Sequence, residues 1–383
     1  MRFLQHQELS FFQVDDIIFH NVGEMRFLVI ALKGCDVQFN SFFDLQSRME
    51  DIDRMGDPLA ELDKVVDWKA FRPILNKIRR KERKSNAGRK PYDVVMMFKI
   101  LILQSLYNLA DEKMEFYIRD RLSFSRFLDI DLGDKVPDAN TIWDFREALK
   151  NHDLIDRLFA KFDKMLADLG FQATKGQIVD ASITEAPRQR NTREENKKIK
   201  EGEGDELWED EPNRRSQKDT DARWTKKNDK SYFGYKNHVS VDNGHKLIRR
   251  YEVTSASVHD SQKFFDLLDP GNTSSNVWAD SAYQSEEAIE ALKESGYRPH
   301  IQRKGRRGRP LSEREQQGNR TRSKTRSRIE HIFGIQSSKA GDLIVRTIGL
   351  ARASVKIGLR NLAYNMNRLA YLLRPPRAAV GRG

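Results

Sequence analysis

QIVDASIT, residues 177–184, is a short run of β-forming residues with one carboxylate, Asp180, at its centre. Isoleucine and valine at this density favour a strand. An unpaired charge inside a buried strand is strongly unfavourable. Asp180 must therefore be paired, face a cleft at the strand edge, or bind a cation. The alternative interpretation is an aspartate that caps a turn near the strand end.

A second run of the same kind, VWADSAY at residues 277–283, places Asp280 at the end of another strand. We predict the strands 177–184, 232–241, 246–254, 277–280 and 300–302, with helices at 261–268, 286–294, 327–336 and 348–373. This order predicts an α/β fold, a mixed sheet with helices on both faces. In such a sheet the strands of Asp180 and Asp280 lie side by side, so the two carboxylates meet at its centre.

The charge of the chain is strongly positive and unevenly distributed. Its 383 residues carry 68 Lys and Arg against 57 Asp and Glu, a formal charge of +11. Residues 303–328 hold 11 of these basic residues and two acids. The balance indicates a polyanionic partner, either nucleic acid or an acidic membrane face.

The cysteine content and the hydropathy of the chain indicate in which cellular compartment the protein resides. The single cysteine, Cys35, excludes a disulfide within the chain and a cysteine-rich zinc site. The apolar run 27–32 is too short for a signal sequence or a membrane span, and the run 94–103 is interrupted by Lys99. We expect a soluble protein of a reducing cytoplasm that makes no membrane contact.

The chain divides into regions of different pattern. Residues 1–40 follow no clear period and are interpreted as an atypical N-terminal extension. Residues 41–170 predict an all-α N-terminal domain, and 171–374 the mixed-sheet domain. Within the latter, 188–230 has 13 basic and 12 acidic side chains, which predicts a solvated, partly disordered insertion. Residues 375–383 form a basic tail.

The helical domain offers a DNA-binding unit as one interpretation. Short helices around residues 114–128, a turn with Gly133, and a helix capped by Asn140 or Thr141 are compatible with a helix-turn-helix. Any small helical bundle has the same parts. If this unit binds DNA, we expect the Arg146 side chain to be exposed and to contact the DNA.

A third carboxylate completes a metal-binding set. Glu330 lies beside the predicted buried face of the helix 327–336, where this helix would meet the sheet. Mg²⁺ prefers hard oxygen ligands, and three carboxylates gathered without cations repel one another. Two such ions about 3.5–4 Å apart activate a water or a 3′-hydroxyl and stabilise the leaving oxygen of a phosphodiester. The residues alone leave a metal-dependent nuclease and a structural role both open.

Several short sequence motifs resemble those of the IS5 family of insertion-sequence transposases, within the larger IS4-like group. The motifs are AGRKPYD (87–93), PDANTIW (137–143), IVDAS (178–182), YFGYK (232–236), VHDS (258–261) and ADSAY (279–283). The resemblance implies an RNase H-like core in which Asp180, Asp280 and Glu330 form a DDE triad. It also implies two Mg²⁺ ions, with Mn²⁺ as a substitute.

The resemblance carries further expectations about partners. It implies binding to double-stranded DNA at terminal inverted repeats, cleavage there, and joining of the ends to target DNA. A homodimer in the synaptic complex and a bacterial, nucleoid-associated location follow from the same likeness. A catalytically silent DNA-binding protein or repressor that keeps the fold is the alternative.

The C-terminal signature of the family is Tyr, two residues, Arg, three residues, Glu, six residues, Lys. Arg326 and Glu330 match it, whereas the Tyr and Lys positions are Ser323 and Ser337. For Arg326, a phosphate contact and a helical salt bridge to Glu330 stay open. The further DNA-binding candidates are Arg322, Lys324, Lys339 and Tyr283. Tyr283 is expected either to stack on a base or to position its turn.

Overall fold

The structure is a computed structural model that describes residues 17–22, 25–30, 42–79, 90–227, 229–340 and 344–374. Contacts divide the chain into two units, Met1–Met55 and Gly56–Gly383. The first unit contains the antiparallel strands β1 (Ile17–Val22) and β2 (Met25–Ile30), and helix α1 (Phe42–Met55). The predicted basic tail 375–383 and most of the predicted extension lie outside the described residues.

The second unit begins with seven helices in the part of the chain that the structure describes. They are α2 (Pro58–Val65), α3 (Arg72–Leu75), α4 (Val94–Tyr107), α5 (Asp111–Asp120), α6 (Leu122–Phe127), α7 (Ala139–Asn151) and α8 (Ile155–Asp168). Asp57 caps α2 by accepting from the Leu59 N–H, with Pro58 at the first helical position, as a cap followed by proline predicts. The cap of α7 is Asp138, so the prediction of Asn140 or Thr141 was wrong.

Helix α4 is the core of the helical region because apolar residues cover almost its whole circumference. Its one charged residue, Lys99, is 5% exposed. The Lys99 ammonium donates to the Phe127 carbonyl at 2.8 Å and lies 2.8 Å from the Asp63 carboxylate. These contacts let the charge remain inside the bundle.

A six-stranded mixed sheet follows. Its strands are β3 (Gln177–Glu185), β4 (Arg223–Lys227), β5 (Lys230–Asp242), β6 (Ile248–Ser255), β7 (Asn276–Ala279) and β8 (Arg298–Ile301). The order is β4-β5-β3-β7-β8, with β6 also paired to β5. β5 and β6 form the predicted hairpin, closed by Asp242, whose carboxylate accepts the Gly244 and His245 N–H groups. The α/β fold class and the adjacency of the two aspartate-bearing strands are confirmed.

Alternate residues of β3 enter different cores, because successive side chains of a strand point to opposite faces. Ile178 packs in the cluster that contains the helical region and Ile329, whereas Val179 packs with Phe264 and Leu292. Helices therefore cover both faces of the sheet. Asp180 has the same parity as Ile178, which places it on the face that carries Ile329.

Helix α11 (Glu286–Glu294) lies where residues 286–294 were predicted to be helical, and two long helices follow it, α12 (Glu313–Ala340) and α13 (Leu350–Leu372). Amide side chains fix α13 to the hairpin. Asn361 and Asn237 exchange two hydrogen bonds of 2.9 and 3.0 Å, and Asn365 bonds both the N–H and the carbonyl of Ile248. These bonds satisfy buried polar groups and fix the register of the helix on the sheet.

Three predictions about elements need correction. Residues 261–268 contain only a short 3-10 helix, Asp260–Lys263. Helix α12 begins at Glu313 and not at the predicted residue 327, so much of the basic stretch 303–328 is helical. The described part of 188–230 is folded, with α9 (Arg193–Glu201), α10 (Pro212–Arg215) and β4. Trp208 is buried there, and its indole N–H donates to Glu195 at 3.0 Å.

Among the described residues, no single helix has both the length and the apolarity to cross a membrane; α4 and α5 meet that test only as a pair bent by 102°.

Candidate active site at the centre of the sheet

Asp180 and Asp280 occupy matching positions on neighbouring parallel strands. The pairing of β3 with β7 joins Gln177 to Val277 and Ile178 to Trp278. The same offset of 100 residues places Asp180 beside Asp280, which directly follows the last residue of β7. The expected meeting of the two aspartates is therefore found in the register of the sheet.

Asp180 is a buried carboxylate, 7% exposed, with two hydrogen bonds. Its Oδ1 accepts from the Ala181 N–H at 2.8 Å, and its Oδ2 accepts from Nε of Arg326 at 3.3 Å. Burial raises the pKa of Asp180, the Arg326 charge opposes this effect, and the negative charge of Asp280 adds to it. The site therefore favours an added positive charge next to Asp180.

Asp280 begins a short 3-10 helix, Ser281–Tyr283, where strand β7 ends. Its Oδ1 accepts from the Ala282 N–H at 2.8 Å. This cap turns the chain sharply at the carboxyl end of the strand and keeps Asp280 half-buried beside Asp180. In the described part of the chain no donor contacts its second oxygen.

Glu330 lies on α12 one turn after Arg326, and its side chain is exposed. Arg326 bonds Asp180 and the Gln302 side chain (2.7 Å), not Glu330, so of the two interpretations left open for Arg326 the helical salt bridge does not form. Within the described residues, no three His, Cys, Asp or Glu side chains are grouped closely enough to hold a metal ion.

The two aspartates nevertheless fit a hard divalent cation. Mg²⁺ sites in phosphoryl-transfer proteins commonly use one or two carboxylates, with water and substrate phosphate oxygens completing the shell. Asp180 and Asp280 supply two carboxylates whose mutual repulsion raises the pKa of Asp180. A cation between them would relieve that repulsion.

Two of the predicted DNA contacts line or flank an open groove beside α12. The groove has a volume of about 750 Å³, and its charged lining residues are Arg303, Arg309, Arg314, Glu315 and Arg322. Lys324 is exposed further along the same helix. The side chain of Lys339 lies outside the described residues.

The charges of the groove are only partly neutralised. Glu315 accepts from the Ser312 N–H and from Arg303 at 2.7 Å, and these bonds lower its pKa to about 2. This carboxylate therefore neutralises Arg303. In the described part of the chain Arg309, Arg314 and Arg322 have no carboxylate partner, and this leaves a surface suited to an anion.

Two predicted DNA contacts are buried. Arg146 is 5% exposed and forms a two-bond pair with Asp111, at 2.7 and 2.8 Å. Tyr283 is 1% exposed and packs its ring against Phe264. The expectations of an exposed Arg146 and of a base-stacking Tyr283 were wrong, because each side chain points into a core.

Sequence reasoning did not find several groups at the site. Gln302 links Arg326 to Ser323, which accepts from the Gln302 amide at 2.6 Å. Lys236 lies 2.8 Å from Asp260, so the motifs YFGYK and VHDS are in contact. Both residues are part of these motifs, but no local spacing indicates a contact between side chains 24 positions apart.

Two carboxylates in register on adjacent parallel strands, with a basic helix across them, are typical of RNase H-like domains that act on phosphodiesters. Comparison with protein-family models agrees with this class. The model described as "Transposase DDE domain" matches residues 172–366. This match covers just over half of the chain, and the chain therefore belongs to the DDE transposase family, whose domains generally use divalent metal ions.

A second family model, described as "Transposase domain (DUF772)", matches residues 46–148. Together the two matches confirm the resemblance to DDE transposases and the enzyme class. Membership of the IS5 family stays a prediction.

Among solved structures, the chain is similar to one described as "Cryo-EM structure of piggyBac transposase synaptic complex with hairpin DNA (SNHP)". The two share 13% sequence identity with a TM-score of 0.42, over 82% of this chain and 75% of that chain. A likeness this distant carries no argument about DNA contacts.

Proposed function

We propose that this transposase binds the terminal inverted repeats of an insertion sequence, cleaves the DNA there, and joins the 3′-ends to target DNA. The observation that carries the proposal is the parallel register of β3 on β7, which places Asp180 beside Asp280, with α12 bonded to Asp180 through Arg326. This arrangement places two metal-binding carboxylates against a strongly basic helix.

Asp180 and Asp280 would hold Mg²⁺, or Mn²⁺ as a substitute, whereas Glu330, the third carboxylate of the expected triad, is exposed on α12 and is not grouped with them in the described structure. When bound, the cations activate a water or a 3′-hydroxyl and stabilise the leaving oxygen. Arg326 fixes the orientation of Asp180 and balances part of its charge. The buried position of Asp180 strengthens each of these interactions, because the local dielectric is low.

The groove beside α12 would bind the phosphate backbone of double-stranded DNA. Arg309, Arg314 and Arg322 present three positive charges without carboxylate partners in the described structure, and arginine matches phosphate geometry well. Contacts of this kind position the duplex but do not select its sequence. Bringing two element ends together requires two copies of the site, so we propose a homodimer in the synaptic complex.

The alternative is a DNA-binding protein that has lost catalysis. The serines at two signature positions favour it: Ser323 accepts from Gln302, and Ser337 donates to the Phe333 carbonyl. Neither hydroxyl replaces the tyrosine or lysine contact that the family signature supplies. The paired aspartates favour an active enzyme, since two carboxylates held in repulsion are costly in a binding protein.

A cleavage assay separates the two functions. Labelled duplex DNA from the flanks of the coding sequence is incubated with the full chain and Mg²⁺, and nicks at the repeat ends are mapped. We expect the wild type to cleave and Asp280→Ala to bind the same DNA without cleaving it. Asp144→Ala, a change at an exposed aspartate of α7, is the matched control and should cleave normally. Binding without cleavage by the wild type would favour the silent protein.

A further inference from the structure

The segment that joins β8 to α12 contains an exposed turn, KGRRGRP at residues 304–310, which we call the basic turn. Two backbone hydrogen bonds of 3.1 and 3.0 Å join Arg306 and Arg309, one in each direction. Arg307 and Gly308 therefore form a two-residue tip. Every residue from 303 to 310 is exposed, so the tip is accessible to another molecule.

Gly308 determines the conformation of the tip. Its φ of +81° lies in the left-handed region that glycine adopts without strain. Apart from its chain neighbours, no atom lies within 4 Å of the position that a Cβ would occupy. The backbone conformation, and not the packing, therefore requires glycine here. The missing side chain also lets a bound molecule come close to the backbone.

Two side chains fix the start of this segment to elements of the candidate active site. The Lys304 N–H donates to the Gln284 side chain at 2.7 Å, and Gln284 ends the short 3-10 helix that Asp280 begins. Asn319 of α12 accepts from the Arg303 N–H at 2.9 Å and donates to the Arg303 carbonyl at 2.8 Å. The basic turn is therefore held between the chain after Asp280 and the basic helix.

The tip carries positive charge that the neighbouring acids hardly balance. Arg306 lies 3.3 Å from Glu286, but their side chains are 78% and 90% exposed, so this ion pair contributes little. Arg309 lines the groove beside α12, where the phosphate backbone is proposed to bind. Arg307, between them, has no carboxylate partner within the described residues. Its guanidinium is therefore available to a ligand that offers hydrogen-bond acceptors.

The minor groove of A·T-rich DNA offers such acceptors. Its floor presents adenine N3 and thymine O2, whereas a G·C pair adds the N2 amino donor of guanine. Arginine has only donors, so the guanine amino group competes with it and does not bind it. A·T-rich tracts also have a narrow minor groove with a more negative potential, which attracts inserted arginine side chains. Hydrogen bonding and electrostatics therefore favour the same base pairs.

We propose that the basic turn binds the minor groove of A·T-rich DNA, with the Arg307 side chain inserted into the groove and Gly308 allowing close approach of the backbone. This inference rests on the proposed function in that the protein must bind double-stranded DNA. It adds a preference for base composition, which phosphate contacts in the groove beside α12 do not supply.

The test is the affinity of the full chain for duplexes of equal length, measured by fluorescence anisotropy. One duplex is A·T-rich and one is G·C-rich. In the third, inosine replaces guanine, which removes the N2 amino group from the minor groove and leaves the major-groove edge unchanged. We expect the A·T and I·C duplexes to bind about 5–150-fold more tightly than the G·C duplex, the usual range for one base-specific contact.

Two variants assign the preference to the tip. Arg307→Gln should make the three affinities equal, whereas Arg320→Gln, at an exposed position of α12, makes the same charge change and should keep the preference. Gly308→Val should lose the preference without a change in charge. Its control is Gly296→Val, because Gly296 has the same φ of +81° and equally open surroundings. This control should keep the preference.

Equal affinity of the wild type for all three duplexes would overturn the inference and leave the proposed function intact. An I·C duplex that binds like the G·C duplex would also overturn it, since that result assigns the preference to the major groove. A preference that Arg307→Gln retains would exclude the tip as its source. A wild type that binds neither these duplexes nor DNA from the flanks of the coding sequence would overturn both proposals.

Discussion

Arg326 on helix α12 donates from Nε to Oδ2 of Asp180 on strand β3, at 3.3 Å, across 146 positions of sequence. This bond joins the basic helix to the central strand at a carboxylate that we propose as a metal ligand. Arg326 also donates to Gln302, beyond the end of β8. One guanidinium therefore connects α12, β3 and the segment after β8 at the site.

The charge of Asp180 should destabilise the folded protein in the absence of metal. Burial and Asp280 outweigh the favourable bond from Arg326, as the raised pKa of Asp180 indicates. We expect Asp180→Asn to raise the free energy of unfolding by about 0.5–2 kcal/mol at pH 7, because an amide keeps the shape without the charge. Urea denaturation with EDTA present measures the change.

Asp242→Asn is the control for this prediction. Asp242 is also fully buried, but it accepts hydrogen bonds from the Gly244 and His245 N–H groups and from the His245 ring. Its substitution should destabilise the protein by about 1–3 kcal/mol. A loss of stability in Asp180→Asn as large as in the control would contradict the electrostatic account.

Arg146 should act on stability and not on DNA binding. It is buried and pairs with Asp111 through two bonds. Removing one member of a buried pair typically costs about 3–5 kcal/mol. We therefore expect Arg146→Met to lower the unfolding free energy by this order while the folded fraction binds DNA normally in a gel-shift titration. Normal stability combined with weakened DNA binding would restore the prediction of a DNA contact.

Because of Lys356 on α13, the free energy of unfolding should change with pH in the alkaline range. Burial, the charge of Arg146 and, more weakly, the charges of Arg360 and Arg346 together lower its pKa to about 8, although Asp111 opposes these effects. The unfolded chain, with a pKa near 10.5, binds more protons between pH 8 and 10.5, so stability should rise with pH in that window.

Lys356→Met removes the cost of the buried charge. We expect it to be more stable than the wild type at pH 7 by on the order of 1 kcal/mol, with the difference shrinking as pH rises from 8 to 10.5. Thermal melting at pH 7, 8.5 and 10 tests this. A difference that is constant over the series would show that packing, not charge, separates the two proteins.

The groove beside α12 should determine the salt dependence of DNA binding. Each phosphate contact that is lost reduces the slope of log K against log salt by about 0.9. We expect the double variant Arg309→Gln and Arg314→Gln to reduce the slope by about 2. The double variant Arg157→Gln and Lys164→Gln, at exposed positions of α8, makes the same charge change and should leave the slope near that of the wild type. Equal reductions in both would assign the effect to net charge alone.

The local sequence pattern predicted the two site residues that lie in a strand or directly after one, Asp180 and Asp280. The β-forming runs around Asp180 and Asp280 are strong local signals, and the order of elements places these strands together. Partners distant in sequence give no such signal, which is why the Arg146–Asp111 and Arg326–Asp180 pairs were not predicted. The early start of α12 was missed because its first turns are polar and contain Gly318, so no apolar period marks them.

The central claim, that Asp280 binds the catalytic metal ion, is tested most directly by changing its ligand atom. In Asp280→Cys a soft thiolate replaces a hard carboxylate, which disfavours Mg²⁺ and is better tolerated by Mn²⁺. We predict that cleavage of inverted-repeat DNA by this variant is lost in Mg²⁺ and partly restored in Mn²⁺, while the wild type cleaves in both. Cleavage by Asp280→Cys in Mg²⁺ at the wild-type rate would contradict the claim.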